Sequence, residues 1–168
     1  GLRLKGKAES LGDQACPAFF GVRQKHMKFV CRTKLSYSPS EKQEEAGLCV
    51  LYSNIAYYSL RVIRGENGNV LSLLRRIHDM RTEQTLLALP AKEAELEIHG
   101  DEEYYHFGIR KDGAFRELAR AETKLLSTEV NRGFTGVYIG LYASGNGKEC
   151  KEPAEFSWFA YEKEGEER

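Results

Sequence analysis

Three groups of carboxylates are candidates for proton chemistry: Glu44-Glu45, Asp101-Glu102-Glu103, and Glu152 with Glu155. Two acidic side chains can share the roles of general acid and general base if a fold holds them at a fixed separation. Each group sits in a turn-like stretch or at the end of an apolar run, so the pattern predicts solvated acids with no fixed partner. Four histidines, His26, His78, His99 and His106, fall on four different segments, and their spacing assembles neither a Ser-His-Asp nor a Cys-His arrangement. They read as surface residues of strands. Cys16, Cys31, Cys49 and Cys150 form no CxxC pair and have no His at zinc-ligand spacing, so they read as buried free thiols, with no metal site. Unpaired thiols favour a reducing compartment and a cytoplasmic location, and the lack of any Asn-x-Ser/Thr acceptor agrees with that choice.

The most suggestive set is Tyr104, His106 and Arg110. They share one face of a period-two stretch whose other face, Tyr105, Phe107 and Ile109, reads as core. An aromatic ring, an imidazole and a guanidinium on an open sheet could stack on a sugar ring and hydrogen-bond its hydroxyls. The plainer alternative is an ordinary wet face or a contact between domains. Trp158 alternates with Phe156 and Ala160, away from Phe159 and Tyr161. Aromatics on both faces of one strand predict that Trp158 is buried.

The elements that must carry these residues follow from composition and periodicity. A chain of 168 residues with 41% hydrophobic content can enclose one ordinary core. Lys plus Arg and Asp plus Glu balance at 25 each, which leaves no net field to hold a polyanion or an anionic membrane. No apolar run approaches the roughly 18 residues needed to span a bilayer, so neither nucleic acid nor membrane is an expected partner. In residues 26 to 37, Met27, Phe29, Cys31 and Leu35 alternate with His26, Lys28, Arg32 and Lys34, as in a strand with one wet face. Residues 46 to 53 are more uniformly apolar. Gly65, Asn67, Gly68 and Asn69 lie between two apolar runs and mark a hairpin, as Lys111-Asp112-Gly113 marks another. Residues 115 to 130 have helical spacing, but the turn just before them favours a return strand over Phe115 to Ala119, with room for a short helix within 118 to 126. A second helical pattern is cut by Pro90. Many short strands with turns between them predict an all-β fold, a two-sheet antiparallel sandwich. The apolar alternation of Leu2 and Leu4 reads as a strand entered at once, as in a piece of a longer protein whose missing part lies upstream.

The order PAFFGVRQKHMKF, EEAGLCVLYSNIAYYSLRV, LEIHGDEEYYHFGIRKDG, LLSTEVNRGFTGVYIGLYASGNG and PAEFSWFAYE resembles the C-terminal domain attached to glycoside hydrolase family 43 β-xylosidases. Five such motifs in one order cover about residues 2 to 161, which leaves residues 162–168 as a charged tail. The resemblance implies a concanavalin A-like jelly roll in residues 1–161, with its last strand beside its first. It also implies that the catalytic acids of the parent β-xylosidase or arabinofuranosidase lie on a separate five-bladed propeller upstream, absent from this chain. In relatives of this architecture a loop of the sandwich carries an aromatic side chain to the active-site mouth, and Phe134, between Gly133 and Gly136, matches that pattern.

The reading is thus a non-catalytic accessory domain of a family 43 glycosidase involved in xylan degradation, without a cofactor, that supports the propeller and shapes its active-site mouth. A xylo- or arabino-oligosaccharide is a further possible partner. The alternative from another class is an independent carbohydrate-binding module using Tyr104, His106 and Arg110.

Overall fold

Alternation of inward and outward side chains builds the strands of this protein. The computed structural model describes residues 1–15, 17–127, 130 and 136–164. β3 (Phe29–Ser36) shows the pattern plainly: Phe29, Cys31, Thr33 and Leu35 are buried, and the residues between them are half-exposed. Before it come β1 (Leu2–Lys5) and β2 (Ala18–Arg23). After it come β4 (Glu45–Ser53), β5 (Ala56–Gly65), β6 (Gly68–Ile77), β7 (Met80–Ala88), β8 (Glu93–Gly100), β9 (Tyr104–Lys111), β10 (Ala114–Glu122), β11 (Tyr138–Ser144) and β12 (Pro153–Lys163). Both predicted hairpins close where backbone strain requires it. Gly68 has φ 121°, and Asp112 and Gly113 have φ 53° and 76°, values that ordinary side chains avoid.

Two antiparallel six-stranded sheets result, ordered β1-β12-β3-β8-β9-β10 and β2-β11-β4-β5-β6-β7. Their inner faces enclose one core, in which Phe29, Leu48, Leu60, Leu71, Phe107 and Phe156 are fully or almost fully buried. The expected all-β sandwich is the observed fold. The last strand lies beside the first, with Leu2 opposite Phe156, as the resemblance implied. On β11, Ile139, Leu141 and Ala143 face that core. Tyr142 faces the other way, into a smaller cluster with Cys49, Tyr57 and Leu74 under Leu11.

Several expectations need correction. Trp158 is not buried: it is 38% exposed, with the Arg32 guanidinium 5.7 Å from its ring centroid. The reason is a β-bulge. Phe156 pairs with Leu35 and Phe159 with Thr33, so β12 carries one extra residue there, and the alternation reverses between Phe156 and Phe159. Phe159 and Tyr161 then pack on the core in place of Trp158 and Ala160. Met27 is 58% exposed because β3 begins only at Phe29. β10 runs to Glu122, past the predicted Ala119, and a single 3-10 turn follows at Thr123–Leu126. β12 runs to Lys163, two residues beyond the boundary read for the sandwich. β7 was not foreseen, since its largely exposed, polar sequence lacks an apolar stripe.

Candidate functional site

The outer face of the β1-to-β10 sheet holds Tyr104, His106 and Arg110, and the structure places all three on one side of β9 with Tyr105, Phe107 and Ile109 buried on the other. Each is engaged with a neighbour. Arg110 grips Glu97 of β8 with both arms, Nε donating to Oε1 at 2.6 Å and Nη2 to Oε2 at 2.8 Å, while Nη1 donates to the Gly113 carbonyl at 2.9 Å. His106 sits between two carboxylates, Nδ1 at 2.6 Å from Glu117 and Nε2 at 2.7 Å from Asp101. The Tyr104 ring lies under Arg120, whose guanidinium carbon is 4.5 Å from the ring centroid. A bulge between Glu117 and Ala119 in β10 sets Glu117 and Arg120 on the same face as His106.

Glu97 is the residue that sequence reasoning missed on this face. It occupies an outward position of β8, yet it is wholly buried beneath Arg110 and His99, and His99 in turn stacks on Phe115 with centroids 4.1 Å apart. Burial alone would raise the Glu97 carboxyl. The hydrogen bonds from Arg110 and His99 outweigh it and hold the group below its usual range. Arg110 is correspondingly held above its own range, first by its hydrogen bonds to Glu97.

Of the carboxylates singled out in the sequence, Glu44, Glu45 and Asp101 are held by protein donors, contrary to expectation, and the exposed Glu155 pairs with Arg3 at 3.4 Å. Glu44 Oε1 accepts from the backbone N–H groups of Ser40 and Glu41 and from the Ser40 hydroxyl, closing the loop before β4. Burial would raise Glu44, but these donors leave it lowered. Glu45 is buried on the outer face of the other sheet, where Oε2 accepts from Arg61 Nη1 at 3.0 Å and from the Tyr142 hydroxyl at 2.6 Å. Arg61 also reaches Glu83, and Ser59 contacts the Tyr142 hydroxyl. Asp101 caps its own turn by accepting from the N–H groups of Glu103 and Tyr104. Glu45 was legible as a residue but not as a buried pair, because Arg61 and Tyr142 lie 16 and 97 residues away, whereas Glu44 and Asp101 are held by donors within their own loops.

Of the histidines, His99 and His106 are half-buried on strands, His26 precedes β3, and His78 occupies the β6–β7 turn with φ 58°. Cys31, Cys49 and Cys150 are buried free thiols, as expected, and burial pushes Cys150 up to about 11. Cys16 and Phe134 lie outside the described residues.

An open depression of about 460 Å³ lies at the end of the sandwich where β2 and β10 finish and β9 and β11 start, lined by Gln24, His26, Asp101, Tyr105, Lys124 and Val137. Its polar groups are tied down. Gln24 accepts from the Tyr105 hydroxyl and donates to the His26 carbonyl, and the Tyr161 hydroxyl accepts from the N–H groups of Lys25 and His26. Among the described residues, no three His, Cys, Asp or Glu side chains converge as metal ligands would.

Comparison with known proteins places this arrangement. Residues 1–162 match the family described as the β-xylosidase C-terminal concanavalin A-like domain. The chain is 38% identical over 162 residues to a non-reducing end α-L-arabinofuranosidase of Bacteroides ovatus, covering 95% of this chain and 30% of that protein. It is 27% identical over 164 residues to a xylosidase/arabinosidase of Butyrivibrio fibrisolvens, covering 96% and 31%. Among solved structures, a Bacteroides ovatus GH43B protein superposes with TM-score 0.87 at 34% identity, over 96% of this chain and 32% of that one. A xylan β-1,4-xylosidase of Bacillus halodurans superposes with TM-score 0.82 at 25% identity, over the same shares. The chain therefore spans about 30% of the length of the curated relatives it matches. It belongs to the family of C-terminal concanavalin A-like domains of glycoside hydrolase family 43 β-xylosidases.

Proposed function

We propose that this domain is a non-catalytic accessory part of a family 43 glycosidase of the β-xylosidase or arabinofuranosidase type, supporting a catalytic domain and shaping the mouth of its active site. The observation that carries this reading is the match over residues 1–162 to a domain that makes up about 30% of its relatives. The local chemistry supports it. Glycoside hydrolysis needs two carboxyl groups facing a substrate across about 5–9.5 Å. Here Glu44, Glu45, Glu97 and Asp101 hold loops, strands and cations of the sandwich itself.

The sugar-binding alternative through Tyr104, His106 and Arg110 draws on their shared outer face. The accessory reading is favoured because the Arg110 fork is filled by Glu97, both His106 nitrogens meet carboxylates, and Arg120 covers a face of Tyr104. Phe134 is the residue we propose as the contribution to the active-site mouth, on the family pattern alone. Calorimetric titration of the domain with xylobiose and arabino-oligosaccharides separates the two readings. The accessory reading predicts no saturable heat at millimolar sugar, where affinities near −4 kcal/mol respond. Saturable binding that is lost in Tyr104→Ala selects the binding module.

A further inference from the structure

Each sheet of the sandwich ends in two edge strands, and the two sides of the molecule protect theirs very differently. On one side lie β7 and β10. β7 presents Arg81, Thr82, Glu83, Gln84 and Thr85 to solvent, and β10 carries charged residues along its length and a bulge between Glu117 and Ala119. Charges and bulges are the devices that keep an edge from pairing with another chain. On the other side lie β2 and the short β1 over β12, and there charges are sparse. Arg23 is the one charged residue of β2 and Glu162 the one charged residue in Ser157 to Glu162 of β12, whose bulge between Phe156 and Phe159 is the protection that remains. β1 covers only Pro153 to Phe156 of β12, so among the described residues Ser157 to Glu162 have a neighbouring strand on the β3 side alone. Above that uncovered edge, Phe20 of β2 is 50% exposed, its ring meeting Phe159 edge-on at a centroid distance of 6.3 Å. Trp158 flanks the same edge, 38% exposed.

The direction of β1 says what fits there. Gly1 lies against the backbone of Phe156 and Ser157, and β1 runs away from the uncovered half of β12. In the relatives this domain is C-terminal and about 30% of the protein, and a polypeptide preceding Gly1 would reach it from that half of β12. We propose that the side formed by β2 and Ser157 to Glu162 of β12 is the surface that receives the polypeptide preceding this domain, which continues β1 as a strand along β12 and places apolar side chains against Phe20 and Phe159. The proposal rests on the accessory reading and adds the surface through which that role is exercised. Strand addition suits the site: from Ser157 to Glu162 β12 has no strand neighbour on the side away from β3, and the two phenylalanines supply a hydrophobic anchor beside it.

The test is hydrogen exchange by mass spectrometry on the 168-residue chain and on the longer protein that carries this domain behind its catalytic part, with Phe20→Lys made in both. The expected result is about tenfold slower exchange over residues 19–22 and 157–162 in the longer protein, with residues 80–88 and 114–122 unchanged. Phe20→Lys should abolish that slowing while leaving the unfolding curve of the isolated chain in place, since the side chain is half-exposed. Slowing confined to β7, β10 or the Gln24 depression overturns the assigned surface and leaves the accessory reading intact. No slowing anywhere beside a folded, active catalytic part overturns both, as does a reading frame that encodes no such polypeptide. Concentration-dependent slowing of the same peptides in the isolated chain, lost in Phe20→Lys, would assign the surface to a second copy and overturn the proposal.

Discussion

The ion pair between Glu97 and Arg110 gives the sharpest test of how this face is built. The Glu97 side chain has no exposure at all, while the Arg110 side chain keeps 24%. The two single substitutions should therefore be unequal. Arg110→Leu leaves a buried carboxylate with His99 as its remaining side-chain partner, and stranding a buried charge costs about 3–5 kcal/mol. Glu97→Gln leaves an amide oxygen that still accepts from Arg110, and the guanidinium can turn toward water, so the loss should be about 1–2 kcal/mol. Glu97→Leu combined with Arg110→Leu removes both charges and should destabilise less than Arg110→Leu alone, because no unpaired charge remains. Urea unfolding of the isolated domain reads these differences directly. In thermal melts the Arg110→Leu loss corresponds to a fall of roughly 6–20 °C for a domain of this size. An Arg110→Leu cost below about 1 kcal/mol, or a double variant destabilised as much as or more than Arg110→Leu alone, would refute the reasoning. A small cost would also revive Arg110 as a free sugar contact.

Phe156→Ala should cost about 3–5 kcal/mol by opening a cavity in the core, whereas Trp158→Ala should cost about 1 kcal/mol, the value of a partly exposed cation–π contact; comparable losses in urea titrations would deny the bulge between them. Tyr142→Phe removes the hydroxyl donor to the buried Glu45 and should lower stability by about 1–2 kcal/mol, and an unchanged midpoint would show that Arg61 and Asn146 together satisfy that carboxylate. Glu97, Glu44 and Asp101 are all held below their ordinary values of 4.5, 4.5 and 3.8. A depressed folded pKa contributes stability that is complete above the unfolded value and is lost as pH falls through the folded one. Melting temperatures should thus drop as pH falls below 4.5, and Glu97→Gln should flatten that drop; a pH response identical to that of the parent would contradict it.

Period-two alternation made most of the sandwich legible, because β3, β9 and β11 each keep one apolar face over their whole length. Where the reading failed, the cause was local or nonlocal in a specific way. The extra residue opposite Lys34 reverses the faces of β12 without changing its composition, so Trp158 looked like core. β7 pairs with β6 through its backbone while exposing polar side chains, which leaves no hydrophobic period to detect. Glu45 looked like a solvated acid because Arg61 stands 16 residues away and reaches it only across a neighbouring strand, and Glu97 was not singled out at all because Arg110, 13 residues away, does the same. Tyr104, His106 and Arg110 were read correctly as one face, but their partners on β8, β10 and the turn before β9 could not be read from β9 itself.

The accessory role is tested most directly by measuring hydrolysis of aryl xylosides and arabinofuranosides by three proteins: the longer enzyme, the enzyme lacking this domain, and this chain alone. The account predicts a blank rate for the chain alone, and a lower kcat/KM or a lower melting temperature for the catalytic part when the domain is removed. A catalytic part that is equally active and stable without the domain would contradict the account. So would turnover by the isolated chain that disappears when one of its own carboxylates is substituted.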